Sequence, residues 1–407
     1  MTARLPIPSP CSAGRGRDPC GAWEGEGSVI PRNLALTLPR LRRGPLPLPP
    51  GAGEGVARSA SSRQWPWHRA ALVLCLFALT ACERVQHGIQ SALDPVGQQA
   101  GRIAGLWWLF LAVLAAVYAV VLVLLLVAAI RPRRRRRLPP GPAFRPEEPI
   151  ERRLTRGLTA WAVGTAAIVL TLTGFSYAVD RDILALGHRA ELTIEVTAKQ
   201  WWWQVRYDDP VPNRSFETAN EIRLPVGVPV RVVLKAQDVI HSFWVPNLHG
   251  KTDLIPGRVN ETVIVADREG RYRGQCAEFC GFQHANMALD VVAMPRDQFE
   301  AWRESQLAPA VAPSDERSRE GQRVFLTSAC VMCHTVRGTT AASRVGPDLT
   351  HVAARPSIAA GTLPYSKGNL AGWIADPQRI KPGSQMPVVG LSADQLQSVL
   401  AYLDGLK

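Results

Sequence analysis

The spacing of apolar positions changes character along the chain. Residues 103–130 form an almost unbroken apolar run without a charge, long enough to cross a bilayer as a helix. Residues 157–179 repeat the pattern more weakly, diluted by Thr and Gly. Beyond residue 190 the period falls to two. Leu192, Ile194, Val196 and Ala198 alternate with Thr193, Glu195, Thr197 and Lys199, the signature of a half-buried strand. Residues 228–234 and 261–266 repeat the habit, with Pro and Gly between them. A region of about a hundred residues built this way predicts a β-sandwich or barrel. Residues 304–317 are rich in Pro, Ala and charge and read as a linker. After them the pattern turns helical, with short helices expected over 318–326 and 393–403. The expectation is a two-helix transmembrane hairpin over 83–189, an all-β domain over 190–303 and an all-α domain over 318–407.

The front of the chain reads differently. Residues 1–62 are rich in Pro, Gly and Arg and show no sustained apolar period, so they predict disorder rather than a core. Residues 63–82 resemble a bacterial lipoprotein signal: Arg63 and the stretch WPWHR are basic, 70–79 are apolar, and Leu79-Thr80-Ala81-Cys82 matches a cleavage box with Cys82 as the lipidated residue. Such a signal belongs at an N-terminus. Residues 1–55 therefore read as an extension upstream of the true start. No methionine lies between Met1 and Met287, so that start would use another codon, near Val56.

Charge fits a membrane topology better than a nucleic-acid surface. The formal net charge is +13. Residues 1–81 carry a net +6 and residues 131–156 a net +7, so the rest of the chain balances to zero. Arg133–Arg137 directly follow the first span, and by the positive-inside rule that loop is cytoplasmic. Both soluble domains then lie on the outer, periplasmic side of a bacterial inner membrane, as does Cys82. Nucleic acid is not an expected partner.

The chemistry concentrates in Cys276-Ala-Glu-Phe-Cys280-Gly-Phe-Gln-His284-Ala-Asn-Met287. Zinc would want a closed set of four N/S ligands, and a thioether serves it poorly. Thiolate, imidazole and thioether together suit copper. His241, 35 residues upstream of Cys276, adds a second imidazole. Two Cys, two His and a Met exceed a mononuclear blue-copper site, which uses one thiolate. Two thiolates can bridge two copper ions, each capped by one histidine.

This motif, with His241-Ser-Phe-x-Val-Pro246 and Lys251-Thr-Asp-Leu-Ile-Pro-Gly-Arg258, resembles subunit II of the cytochrome c oxidases. The resemblance implies a cupredoxin sandwich holding the dinuclear CuA centre. It implies that Cys276 and Cys280 bridge the coppers and that His241 and His284 bind one each. Met287 and the backbone carbonyl of Glu278 would be weak ligands, and the Glu278 side chain would face a magnesium shared with subunit I. In the family the first aromatic after Gln200, in Trp201-Trp202-Trp203, is where electrons arrive, so Trp201 takes that role. The bland reading of this triplet is core packing by alternate side chains. A glutamate ahead of the second span feeds protons to subunit I in some members. Glu151 stands there, although Leu154 replaces the family's Trp.

In the last domain, Cys330-Val-Met-Cys333-His334 is the c-type heme attachment signature, with thioethers from Cys330 and Cys333 and His334 as axial ligand. Met386, in Gly-Ser-Gln-Met-Pro, is the sixth-ligand candidate, and a His/Met pair raises the heme potential. His351 is its rival. The domain resembles class I cytochromes c, with Gly346-Pro-Asp-Leu349 as the loop beside the proximal histidine. Together these features resemble a caa3-type oxidase subunit that relays electrons from cytochrome c or another donor to subunit I. Subunit III completes the expected complex. The two spans contain no histidine, so the site of oxygen reduction to water, coupled to proton translocation, belongs on another subunit. The rival readings are a subunit of a CuA-containing nitric oxide reductase and a membrane copper-delivery protein.

Overall fold

A computed structural model of the chain describes residues 88–131 and 148–407. The expectations for residues 1–62, the signal with Cys82 and the run Arg133–Arg137 lie outside the described residues.

Helix α1 spans Gln98–Ile130 and α2 spans Glu148–Ala185. Both are long and apolar enough to cross a membrane. They run antiparallel, with Arg102 near the start of α1 paired to Asp182 near the end of α2 at 2.7 Å. Their apolar side chains face outward: Leu114, Leu124 and Leu170 are all exposed, as a lipid-facing surface requires. Each helix exceeds its apolar run because polar residues at the ends, such as Gln98 and Arg152, continue the helix where hydropathy no longer marks it.

The chain just before α1 is locked to the soluble part. Asn247 is fully buried. It donates to the carbonyls of Gly88 and Asp94 at 3.0 and 2.9 Å and accepts from Ser91 N–H at 3.1 Å. Gly97 lies so close to the Leu248 and Val265 carbonyls that a Cβ would fall within 2.6 Å of each.

Ten strands form two five-stranded sheets. One holds β1 (Leu192–Lys199), β2 (Trp202–Asp208), β3 (Phe216–Ala219), β5 (Val230–Ala236) and β8 (Asn260–Ile264). The other holds β4 (Glu221–Pro225), β6 (His241–Trp244), β7 (Thr252–Leu254), β9 (Gly270–Cys276) and β10 (Ala288–Met294). The period-two reading of β1 holds where it matters: Ile194, Val196 and Ala198 are fully buried. Trp203, Leu234, Phe243, Leu254 and Ile264 fill the same core between the sheets.

Helix α3 (Arg296–Leu307) closes this domain, setting the Trp302 ring 5.2 Å from Tyr207 and 5.6 Å from Phe216. Its last four residues fall within the stretch read as linker. The sequence cue there was charge, but the Phe299 and Trp302 anchors carry the helix past it.

The last domain is helical. Its helices are α4 (Glu316–Thr327), α5 (Lys367–Ala375), α6 (Pro377–Ile380) and α7 (Ala393–Asp404). Asp315 with Ser318 and Ser392 with Gln395 form capping boxes at α4 and α7, satisfying N-terminal amides that a helix cannot pair itself. Helices α4 and α7 cross with Gly321 against the Ser398 backbone, where any side chain would collide. A two-strand ribbon, β11 (Ser357–Ile358) with β12 (Leu363–Pro364), faces the sandwich. There Ala288 N–H donates to the Ala360 carbonyl at 2.9 Å.

Candidate metal centre and heme pocket

Strand pairing builds the metal centre. β6 lies antiparallel to β9 with Phe243 opposite Cys276, which places His241 beside the end of β9. The chain then loops through Cys280 and His284 and returns into β10. Cys276 N–H donates to the Met287 carbonyl at 2.9 Å and closes that loop. The two sulfurs are 3.8 Å apart. His241 Nδ1 is 3.8 Å from Cys276 Sγ, and His284 Nδ1 is 3.6 Å from Cys280 Sγ. Met287 Sδ lies 3.9 Å from Cys280 Sγ, and the Glu278 carbonyl oxygen 3.1 Å from Cys276 Sγ. All six donors read from the sequence therefore converge, with His241, Cys276, Cys280 and Met287 buried. The two cysteines are not joined as a disulfide, so both sulfurs are available as ligands.

The surroundings tune the donors. The Cys276 thiol is pulled well below the usual thiol range, chiefly by its contact with Cys280 and also by His241. Cys280 is pushed up by the same neighbour. Two thiolates this close repel, so both ionise together only around a cation. His241 Nε2 pairs with Asp238 Oδ1 at 2.8 Å, which leaves Nδ1 free to face the sulfur. Burial opposes the Asp238 charge, but hydrogen bonds from His241, Gln200 and Val239 outweigh it and hold its carboxyl below the usual range. A carboxylate behind a ligating histidine fixes its orientation. Asp238 carried no motif signal in the sequence, and only its position three residues before His241 hinted at it. The Glu278 side chain turns outward to Lys251 at 3.4 Å, and Lys251 also holds Asp253 at 2.9 Å.

Of the three tryptophans, Trp203 is pure core, fully buried. Trp202 is half-buried under Lys199, whose ammonium lies 4.8 Å from its ring. Trp201 precedes β2 and belongs to neither description. Its indole N–H donates to the Cys280 carbonyl at 2.9 Å, and Gln200 Nε2 donates to the same oxygen at 2.8 Å.

The second site is a cavity of about 1170 Å³ including its open mouth, lined by Cys330, Cys333, His334 and Met386 from the helical domain. Trp201, Trp202 and Asn220 complete the wall from the sandwich. His334 Nδ1 donates to the Pro347 carbonyl at 2.7 Å, so Nε2 is the nitrogen left to bind. Burial lowers the His334 pKa, favouring that neutral form. Gly346 is forced by this contact: a Cβ there would lie 2.9 Å from His334 Cε1. Gln378 Nε2 donates to the Met386 carbonyl at 2.9 Å and steadies its loop. The rival His351 is occupied elsewhere, its two nitrogens 2.9 and 3.2 Å from the Lys407 and Ala308 carbonyls. The buried Arg355 also lines the cavity, and its Nε has no hydrogen-bond partner. Two free thiols, an oriented imidazole, a thioether and a buried guanidinium suit a covalently held, acid-bearing macrocycle.

Residues 210–294 match the family model described as cytochrome c oxidase subunit II, periplasmic domain, and residues 318–407 match cytochrome c. The chain is 39% identical over 240 residues to the cytochrome c oxidase subunit 2 of Alkalihalophilus pseudofirmus, covering 59% of this chain and 68% of that one. This chain belongs to the cytochrome c oxidase subunit 2 family. A second relative of that name, from Bacillus sp. strain PS3, is 33% identical over 257 residues, covering 59% of this chain and 70% of the other. The periplasmic domain of subunit II of the Bradyrhizobium japonicum cytochrome oxidase aligns at 37% identity, covering 29% of this chain and 94% of that one. Its TM-score, 0.27, is too low to speak to the fold.

As a subunit II the chain is a membrane-anchored part of an oxidoreductase and associates with a subunit I. Its first soluble domain implies CuA copper and its second implies heme. Glu151 stands in the first turn of α2, on one surface with Thr155, Arg152 and Arg156.

Proposed function

We propose that this subunit relays electrons from cytochrome c or another donor, through a covalent heme c and a dinuclear CuA centre, to subunit I. There oxygen would be reduced to water with proton translocation. When bound, the copper pair and the heme supply one-electron carriers; the chain's own residues hold them. Cys276, Cys280, His241 and His284 would hold the copper, with Met287 and the Glu278 carbonyl as weaker ligands. Asp238 and Gln200 fix that donor set and β6, β9 and β10 bury it, so little rearranges when charge changes. Cys330 and Cys333 would fasten the heme covalently, and His334 and Met386 would ligate its iron. The Glu278 carboxylate, which reaches Lys251 at 3.4 Å, would hold a magnesium at the subunit I face. Glu151 delivers protons, Cys82 carries the lipid, and both soluble domains stand outside the inner membrane, with subunit III completing the complex.

The observation that carries this reading is that Trp201 touches both sites: it hydrogen-bonds the loop of one and walls the cavity of the other. A carrier chain needs such adjacency, and copper delivery does not. The test is to purify the complex from native membranes by a C-terminal tag, assay copper and heme, and follow oxygen uptake with a reduced mediator. Cyanide-sensitive uptake with subunit I co-purifying supports the relay. Turnover with nitric oxide but not oxygen reassigns the enzyme, and copper that passes rapidly to a chelator overturns the fixed centre.

A further inference from the structure

Lys381 is a buried cation in the wall of the heme cavity, beside the sandwich, and no motif in the sequence accounts for it. It is 3% exposed, and among the described residues no carboxylate pairs with it. Such a group costs free energy unless its hydrogen bonds are well placed. Its Nζ donates to two carbonyls, that of Trp201 at 2.7 Å and that of Ala359 at 3.1 Å. One acceptor belongs to the sandwich and the other to the helical domain. Its backbone is held too, with its N–H on the Pro377 carbonyl at 2.8 Å and its carbonyl receiving Ser384 N–H at 3.1 Å.

The next residues finish the contact. Gln283, from the metal-site loop, donates to the Pro382 carbonyl at 2.7 Å. Gly383 approaches the Trp201 ring so closely that a Cβ would sit 3.6 Å from it. The loop 381–386 thus starts at the backbone of Trp201, crosses its ring and ends at Met386.

We propose that Lys381 is a positioning residue: it clamps the helical domain to the Trp201 backbone and so fixes that indole between the copper site and the heme cavity. This rests on the relay proposed above. Burial lowers the Lys381 pKa to about 7, but an amine and an ammonium both donate, so the clamp survives in either form. Arginine is no substitute, because its planar fork cannot place one donor between two carbonyls at a buried point.

The test compares Lys381→Met with Arg273→Met in the intact oxidase. Arg273 Nη1 also makes a cross-domain bond, to the Gly361 carbonyl at 3.3 Å, away from Trp201. Lys381→Met should slow heme-to-copper transfer by about tenfold, the factor that losing a strong hydrogen bond gives in a docking equilibrium. Heme and copper contents should hold, and Arg273→Met should leave the rate unchanged. An unchanged rate in Lys381→Met, or equal slowing in both variants, overturns the clamp. A second readout needs no variant and no electron transfer. In the wild-type protein, Lys381 should resist acetic anhydride while the exposed Lys367 reacts, as read by peptide mass spectrometry. Rapid acetylation of Lys381 overturns the clamp. Absence of heme or copper from the wild type overturns the relay alone, and the acetylation result then decides the clamp.

Discussion

Trp201 and Gln200 donate to one oxygen, the carbonyl of Cys280, at 2.9 and 2.8 Å. The carbonyl belongs to a proposed bridging residue, and the indole that reaches it also walls the heme cavity. Trp201→Leu keeps an apolar side chain and leaves Gln200 to satisfy the carbonyl. Copper and heme contents should stay at wild-type levels while heme-to-copper transfer slows at least about tenfold. Stopped-flow absorbance of the two centres checks this, and normal transfer would mean the route bypasses the indole.

Cys280→Ser should abolish the dinuclear copper site. A hydroxyl remains mostly protonated where a thiol would ionise, so only Cys276 is left to bridge. Copper per chain should fall, and the absorption and electron-spin signature of a shared electron should vanish, with heme retained. An unchanged copper spectrum would refute the bridging role.

Asp238→Asn keeps the shape behind His241 and removes the charge. Loss of a carboxylate supporting a metal-bound histidine weakens metal affinity by about 10- to 100-fold. Competition against a chelator measures this. The pH dependence has a definite sign. The Asp238 carboxyl is held below its ordinary 3.8, so its stabilisation is fully present above that pH and disappears as pH falls through the depressed value. Melting curves of the copper-free wild type and variant should therefore converge in acid.

Gly346→Ala tests the heme side. Its Cβ would lie 2.9 Å from His334 Cε1 and 3.1 Å from Nδ1, so the imidazole must turn from the Pro347 carbonyl or the loop must shift. The heme should still attach through its thiols, but with a lowered midpoint potential and altered axial-ligand bands. Potentiometry beside an unchanged copper content checks that the effect is local.

Local patterns carried far here. The alternation at Ile194, Val196 and Ala198 was legible because one face of β1 meets a dry core and the other does not. The candidate donors could be named because chemistry this specific tolerates few residue types, and five of the six lie on one short segment. Asp238, Gln200, Arg355 and Lys381 were not legible in this way. Two of them act through partners distant in sequence: Gln200 reaches Cys280, 80 residues on, and Lys381 reaches Trp201, 180 residues back. A carboxylate, an amide or a lysine in a loop has no periodicity to announce such a contact. Helix α3 escaped the domain boundary for a related reason, since its hold on the sandwich comes from two aromatic anchors among charges.

The heme cavity has walls from two domains, with Trp201, Trp202 and Asn220 closing what Cys330, Cys333 and His334 begin. A group held there would touch residues of both domains at once. Its release would require the seam contacts of Lys381 with the Trp201 carbonyl and of Gln283 with the Pro382 carbonyl to break.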